Sequence, residues 1–463
     1  MKVVFVGGGS FRTLPIIRSA MQYRQVFDKG EIRLLDPSVA RAEAVGRAIV
    51  QTPEYAGIDC KVSWGSDPDR ALDGADVVSV SFAVGSPVTM QRSMQASMRH
   101  GFHGSDQLSL TGGFLGLTAG PAILDYAQRM ERLCPRAWLV DFANPVAVYS
   151  GMVNNHTRIR ALGICGGFTN YRWDLTRLMG RDAYSEEFDV DAAGINHLSF
   201  ILRGTWRGQD LYKVLGRRLR QGYEPPRIDH PNPAMRRHIR FGLQRLAEMY
   251  RRFGCMIYST EGDGMIHLFF EEMFARGRRE PRPKTLADMR KWARGHRQAR
   301  VEADRRFREE VDKPHDAAFW KAAPKQNPAF ARSDRDVTVL VLKALGGVSR
   351  EKLVASRTNQ GAVVGFKDRT VLEYSMFLDR KGVTPVPNLE VPDCFHGLIS
   401  SLATHQTLLG DAVAARDPRI LADALFAYPL YQNSRQAKAL WRDLLRIHAA
   451  EIPAEFQKAV DYF

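Results

Sequence analysis

Two apolar runs, RIRALGIC and DVDAAGINH, end on Cys165 and on the pair Asn196-His197. A thiolate and an imidazole suit borderline divalent cations such as Mn, Fe, Co, Ni or Zn, and a site with only two protein donors leaves coordination positions open for a substrate. Taken singly, each residue also has a plainer reading, as an inert buried thiol or a histidine packed in a core. The start of the chain points to a different chemistry. In MKVVFVGGGSFRT the strand-like KVVFV runs into Gly7, Gly8 and Gly9, with Ser10 and Phe11 completing the turn, and Asp36 ends the next apolar run, EIRLLD. In a dinucleotide site, glycines permit a tight turn and close backbone approach to a pyrophosphate resting on a helix N-terminus, and an acidic residue after the second strand binds the ribose. The third fingerprint position is Arg12 rather than glycine, and Asp36 lies further along than the usual ~20 residues. A glycine-rich turn beside an ordinary surface aspartate is the alternative. As a cofactor site it selects NAD over NADP, because a carboxylate at position 36 would repel a 2′-phosphate. A metal pair together with a dinucleotide turn is more than most simple dehydrogenases need.

The elements that must carry these residues alternate. After KVVFVGGGS come the helical TLPIIRSAMQYRQVF, the strand EIRLLD, the helical ARAEAVGRAIVQT and the strands CKVSWG (60–65) and ADVVSVSFAVG (75–85). AWLVDFANPVA (137–147) and RIRALGICGG (158–167) continue the series. Strands alternating with helices imply a parallel sheet covered on both faces. The fold class read from this is α/β: an N-terminal Rossmann-type doubly wound domain over 1–188, followed by an α+β domain over 189–463. In the second part the pattern predicts strands in DVDAAGINHLSFILRG (189–204), RDVTVLVLKAL (335–345) and LEYSMFLDRKGVTPVP (372–387). Helices are expected through much of 275–335 and from Leu398 onward. No internal repeat or low-complexity tract appears.

With 463 residues and 44% hydrophobic content the chain can fill more than one core. No run approaches the ~18 uninterrupted apolar residues of a membrane span, and Met1 leads directly into a strand without a basic leader, so a cytoplasmic protein with no membrane partner is expected. Five scattered cysteines fit reduced thiols better than a disulfide framework. The net charge of +15 is spread through amphipathic segments such as MRRHIRFGLQRLAEMYRRFG (235–254). No nucleic-acid signature accompanies it, so an anionic substrate or an Arg-rich proteome is favoured over a nucleic-acid partner.

The sequence resembles glycoside hydrolase family 4, the NAD- and divalent-metal-dependent glycosidases with a lactate/malate dehydrogenase-like fold. The resemblance rests on FVGGGS, TGGFLGLTAGPAIL (111–124), DFANPVAV (141–148), GICGG (163–167), GINHLSF (194–200) and FGCMIYSTEGDGMIHLFFEEM (253–273), which occur in the family's order and cover most of the chain. It implies that NAD takes hydride from C3 of a sugar, that a metal, Mn²⁺ first among the candidates, holds the C2 and C3 oxygens, and that a base removes the acidified C2 proton. Elimination, addition of water and return of the hydride complete a net hydrolysis, outside the two-carboxylate scheme of most glycosidases.

The resemblance further implies that Cys165 and His197 are the metal ligands, that Asn144 and Asn196 face the substrate, and that Asp263 in EGDGMIH is the C2 base or its helper, against a turn aspartate flanked by Gly262 and Gly264. His267 supports metal or substrate, or merely packs, and Arg240 matches a substrate-binding arginine beside Arg236 and Arg237. The chain departs from the family in one place. Many members carry Asp, Asn or His after the metal cysteine, and here stands Gly166, so the leaving-group acid is unassigned, with Glu261 and His103 as candidates. No Tyr-rich segment of the phosphoglucosidase type lies between 205 and 250, where Tyr223 stands apart. A non-phosphorylated α-glycoside or α-uronide is the expected substrate, with the enzyme a homodimer or homotetramer. The competing readings are an NAD-dependent 2-hydroxyacid dehydrogenase and a non-catalytic NAD-binding regulatory protein.

Overall fold

Six strands of the first 163 residues pair in parallel in the computed structural model, which describes residues 1–102, 104–220, 223–258, 285–429 and 434–463. They are β1 (Lys2–Val6), β2 (Gly30–Leu35), β3 (Cys60–Gly65), β4 (Val77–Val80), β5 (Trp138–Asp141) and β6 (Arg160–Gly163), in the spatial order β3-β2-β1-β4-β5-β6. This is the order of a doubly wound dinucleotide-binding sheet, with its reversal between β1 and β4. The central strands explain the sequence signal. All of Val77–Val80 and Trp138–Asp141 is buried, as is β1 after Lys2, because helices cover both faces, so these strands read as continuous apolar runs rather than alternating ones.

The sheet does not stop at β6. In the second part β7 (Phe188–Ile195) and β8 (Leu198–Trp206) form a hairpin with the short β9 (Gln209–Asp210) at its far end, and β10 (Met256–Tyr258), β11 (Glu351–Thr358), β12 (Val371–Asp379) and β13 (Gly382–Pro385) follow. β11 joins β6 in antiparallel sense, and the order continues β11-β12-β7-β8-β10, giving one sheet of 13 strands among the described residues. The fold is thus a Rossmann-type α/β sheet extended by an antiparallel α+β portion. One apolar core runs through most of the molecule, and a second cluster around Phe168, Phe188, Leu243 and Met256 underlies the β7–β10 region. The motif TGGFLGLTAG lies on the helix Leu110–Leu133, where glycines let the helix Asp393–Ala415 come close. A Cβ at Gly113 would meet Leu409 Cδ1 at 3.0 Å, and one at Gly120 would meet Val413 Cγ1 at 3.0 Å. No helix of the described residues is long and apolar enough to cross a membrane.

One element is of the other kind from its sequence signal. The run expected as a strand over 335–345 forms the helix Val337–Leu345, buried at nearly every position. A short run of buried β-branched residues has no amphipathic period to separate the two states, and here the cap decides. Asp336 accepts from Thr338 N at 2.8 Å as N-cap, and the same carboxylate takes both of its oxygens to Arg12 Nη2 at 2.9 Å. Arg12 also donates to Thr338 Oγ1 at 3.0 Å and stacks over the Phe142 ring, 3.5 Å from its centroid. The arginine that interrupts the glycine fingerprint therefore fastens the first turn of the chain to a helix more than three hundred residues away. Asp336→Ala removes a cap and strands a largely buried guanidinium, so it is expected to cost about 2–4 kcal/mol in urea unfolding, with Asp336→Asn losing less.

Candidate active site

The carboxyl ends of β1, β4, β5 and β6 lie side by side, which in a doubly wound sheet is where ligands bind. Beyond β1 the loop is dictated by its glycines. Gly7 has φ +82°, and a Cβ there would lie 2.3 Å from Ser81 O, just past β4. A Cβ at Gly8 would meet Phe5 O at 2.8 Å and Leu34 Cα at 2.9 Å. Both amides, of Gly7 and Gly8, donate to Leu35 O. Asp36 is buried, and its carboxylate accepts from Gly9 N at 3.0 Å and from Ser38 N at 2.9 Å. It thus ties the end of β2 to the glycine turn. Ser10 N donates to Gly7 O, and Phe11 packs on Phe307 of the helix Leu286–Val311 with ring centroids 5.5 Å apart. The narrow passage between β1 and β4 and the buried acid after β2 fit the requirements of a dinucleotide.

Beyond β6, Ile164 is buried and Cys165 caps the short helix Gly166–Thr169, its Sγ accepting from Gly167 N at 3.4 Å. Across the sheet, Asn196 and His197 form the two-residue loop of the β7–β8 hairpin, with Ile195 paired to Leu198. His197 takes φ +70° while Asn196 does not enter the left-handed region, whereas the favoured two-residue turn of this kind has positive φ at both positions. A side chain held there carries a backbone cost of about 1 kcal/mol, which is commonly met at functional sites. The loop brings His197 Nε2 to 3.5 Å from Cys165 Sγ. Two ligands of one tetrahedral cation, with metal–sulfur and metal–nitrogen bonds of about 2.3 and 2.1 Å, stand about 3.6 Å apart, so the donor pair fits a shared ion. Among the described residues no third His, Cys, Asp or Glu completes a cluster.

The hairpin is held from below by a fully buried carboxyl that sequence reasoning missed. Glu373 on β12 accepts from Asn196 Nδ2 at 2.8 Å and from Ser199 Oγ at 3.2 Å. Burial pushes this carboxyl up, against the lowering effects of Asn196, His197 and Ser199. Asn196, expected to face the substrate, is buried and donates its Nδ2 to Glu373, which ties the loop to β12. Asn144, beyond β5, is exposed and donates from Nδ2 to Asp106 Oδ2 at 3.0 Å.

A second buried carboxyl has its pKa shifted by its surroundings. Asp174, on the helix Tyr171–Leu178, accepts from Tyr258 Oη at 3.1 Å, and Tyr258 in turn packs on Phe168 with centroids 4.9 Å apart. Burial pushes Asp174 up to about 6, outweighing the lowering by Tyr258, Arg177 and Arg245. The native state therefore keeps a proton that the unfolded chain has already lost. Stability from this group is complete below about pH 4 and is lost as pH rises through about 6, by up to about 3 kcal/mol. Asp174→Asn is expected to flatten that part of the stability–pH curve in denaturant titrations and to leave the enzyme more stable than wild type at pH 7.

Of the remaining predicted residues, only Arg240 is among those the structure describes. Arg240 is exposed on the helix Pro233–Phe253 and lines an open surface pocket with Arg227, Arg236 and Arg237. Tyr223 donates to Arg177 O at 3.0 Å. Asp263, His267, Glu261 and His103 lie outside the described residues. Gly166 has no positive φ, and among the described residues a Cβ there would meet only Phe142 Cζ, at 4.0 Å.

Residues 2–180 match the model of Family 4 glycosyl hydrolase, and residues 192–431 match that of the Family 4 glycosyl hydrolase C-terminal domain. Among characterised proteins the chain is 23% identical to the 6-phospho-beta-glucosidase of Escherichia coli (strain K12), over 99% of both chains. It is 22% identical to the alpha-galacturonidase of Thermoanaerobacter italicus, over 96% of this chain and 95% of that one. The fold matches the crystal structure of a 6-phospho-alpha-glucosidase from gut microorganisms in complex with NAD and Mn²⁺, with TM-score 0.76 at 18% identity, covering 98% and 99% of the two chains. Carried through both halves of the sheet, this match leaves one conclusion: the chain belongs to the family 4 glycosyl hydrolases.

Proposed function

We propose that this enzyme hydrolyses a non-phosphorylated α-glycoside or α-uronide in the cytoplasm, as a homodimer or homotetramer, by transient oxidation of the sugar ring. The observation that carries the reading is the 3.5 Å approach of Cys165 Sγ to His197 Nε2, on loops at the end of the sheet whose first turn is the Gly7–Gly9 loop. When bound, NAD would supply hydride transfer at sugar C3, and a divalent cation such as Mn²⁺ would supply charge stabilisation at the adjoining oxygens. The Gly7–Gly9 loop, with Ser10, Phe11 and Asp36, would hold the dinucleotide, and Cys165 with His197 would hold the cation. Glu373 and Asn196 keep the imidazole loop in its left-handed turn. Asn144 presents a polar group to the sugar from the end of β5. Asp263 would take the C2 proton, supported by its place in EGDGMIH, and His267 and Arg240 would bind the substrate. The open, arginine-lined pocket around Arg240 is compatible with an anionic sugar such as a uronide.

A screen of aryl α- and β-glycosides, uronides and their 6-phosphates with NAD⁺ and Mn²⁺ tests this. The expected result is turnover of a non-phosphorylated member with catalytic NAD⁺, no accumulation of NADH, loss of activity with a chelator and deuterium incorporation at C2 in D₂O. NADH formed in proportion to substrate consumed would mean a dehydrogenase, and turnover of 6-phosphates alone would correct the substrate class.

A further inference from the structure

The turn facing Asn144 carries a carboxyl group that the preceding scheme does not use. Residues 104–110, GSDQLSL, connect the helix Pro87–Arg99 to the helix Leu110–Leu133, and they are pinned from both sides. Ser105 N donates to Ser109 Oγ at 2.9 Å, and Ser109 Oγ donates back to Ser105 O at 2.8 Å. Ser109 also caps the following helix by accepting from Gly112 N. Gly104 lies against Met94, where a Cβ would meet the Met94 Cα at 2.9 Å, and a Cβ at Gly112 would fall 2.2 Å from Gln107 O. Every residue from Gly104 to Leu110 is buried except Asp106. A rigid, tightly packed turn therefore presents a single partly exposed side chain, a carboxyl group, and its Oδ2 accepts from Asn144 Nδ2 at the carboxyl end of β5. On the other side of the same β5 loop, Gly166 brings no side chain to the position beside the thiol, and among the described residues only Phe142 lies within 4 Å of a Cβ placed there.

We propose that Asp106 is the acid that protonates the departing glycosidic oxygen. The inference rests on the glycosidase reading above. In the elimination, the C2–H bond breaks, its proton goes to the base, and its electron pair becomes the C1=C2 double bond. The C1–O bond breaks with its electron pair leaving on oxygen, and the Asp106 Oδ1 proton passes to that oxygen. In the return step, water adds its oxygen to C1, Asp106 recovers a proton from that water, and C2 regains one from the base, so the carboxyl group ends each cycle as it began. The Asn144 amide fixes Oδ2 and leaves Oδ1 to meet the leaving group.

The test uses the full-length enzyme with NAD⁺ and Mn²⁺ and the 2,4-dinitrophenyl, 4-nitrophenyl, phenyl and methyl glycosides of the sugar that wild type turns over. Asp106→Asn keeps an acceptor for Asn144 Nδ2 and so keeps the turn. It is expected to hydrolyse the dinitrophenyl glycoside within about 3-fold of wild type and the methyl glycoside at least ~10²-fold more slowly, the usual worth of general-acid catalysis. Deuterium exchange at C2 of the methyl glycoside should persist in the variant, and Asp106→Glu should restore part of the methyl glycoside rate. A loss equal across the series, or no loss on the methyl glycoside, overturns the assignment of Asp106 while wild-type turnover leaves the glycosidase reading standing. A wild-type enzyme that neither turns over any member nor exchanges hydrogen at C2 overturns both.

Discussion

Cys165→Ser should fold as wild type and lose its metal-dependent activity, with kcat/KM down by about 10³-fold or more, the several kcal/mol that a bound cation contributes to charge stabilisation. The separation of the two effects follows from the position. Cys165 is the N-cap of the helix Gly166–Thr169 and accepts from Gly167 N, and serine is a strongly preferred N-cap, so the backbone arrangement is kept. A neutral hydroxyl is a poor substitute for a thiolate toward a borderline cation. Equilibrium dialysis or Mn²⁺ electron paramagnetic resonance should show loss of the tightly held ion. NAD⁺ affinity, which depends on the glycine loop at β1, should change by less than about 3-fold. Activity within a few-fold of wild type in Cys165→Ser would remove this cysteine from the mechanism.

His197→Gly is expected to show the same loss of activity with a different stability signature. The imidazole is carried on a left-handed residue, φ +70°, in a two-residue loop. Glycine adopts that conformation without the penalty of a Cβ, so replacing His197 relieves about 1 kcal/mol of backbone cost, while the greater freedom of glycine in the unfolded chain takes back a similar amount. Thermal unfolding within about 1 kcal/mol of wild type, together with loss of Mn²⁺ binding and a ~10³-fold fall in kcat/KM, is the expected outcome. His197→Ala, which keeps the strain and removes the ligand, should be the less stable of the two. Destabilisation of His197→Gly by more than about 2 kcal/mol would instead make the imidazole a structural support of the hairpin.

Both variants probe a contact between residues whose types were evident in the sequence and whose meeting was not. The chemistry-bearing positions stood out because each terminates an apolar run: Gly7 to Gly9 after KVVFV, Asp36 after EIRLL, Cys165 after RALGI and the pair Asn196-His197 after DVDAAGI. A strand buried on both faces reads as a mostly apolar run whose carboxyl end is where that pattern breaks, so the ends of β1, β2 and β6 were readable one at a time, as was that of β7, which is buried throughout its last four residues. The helix Val337–Leu345 was not readable, because a short segment buried at nearly every position has no broad solvent face to impose a period, and its state is set by the Asp336 cap and by the Arg12 side chain donated from the first turn of the chain.

By itself, then, the sequence determined the doubly wound architecture, the dinucleotide turn, the thiol and the imidazole, because periodic burial and donor type are properties of single segments. The 3.5 Å spacing of Cys165 and His197, the buried Glu373 beneath Asn196, and the Asp106 carboxyl at Asn144 were decided only by the tertiary structure. Each joins residues from separate strands or loops, and what brings the first two together is the order β6-β11-β12-β7 in one sheet, where β11 and β12 come from far along the chain. Such pairings depend on long-range register, and no local pattern of apolar and polar residues encodes it.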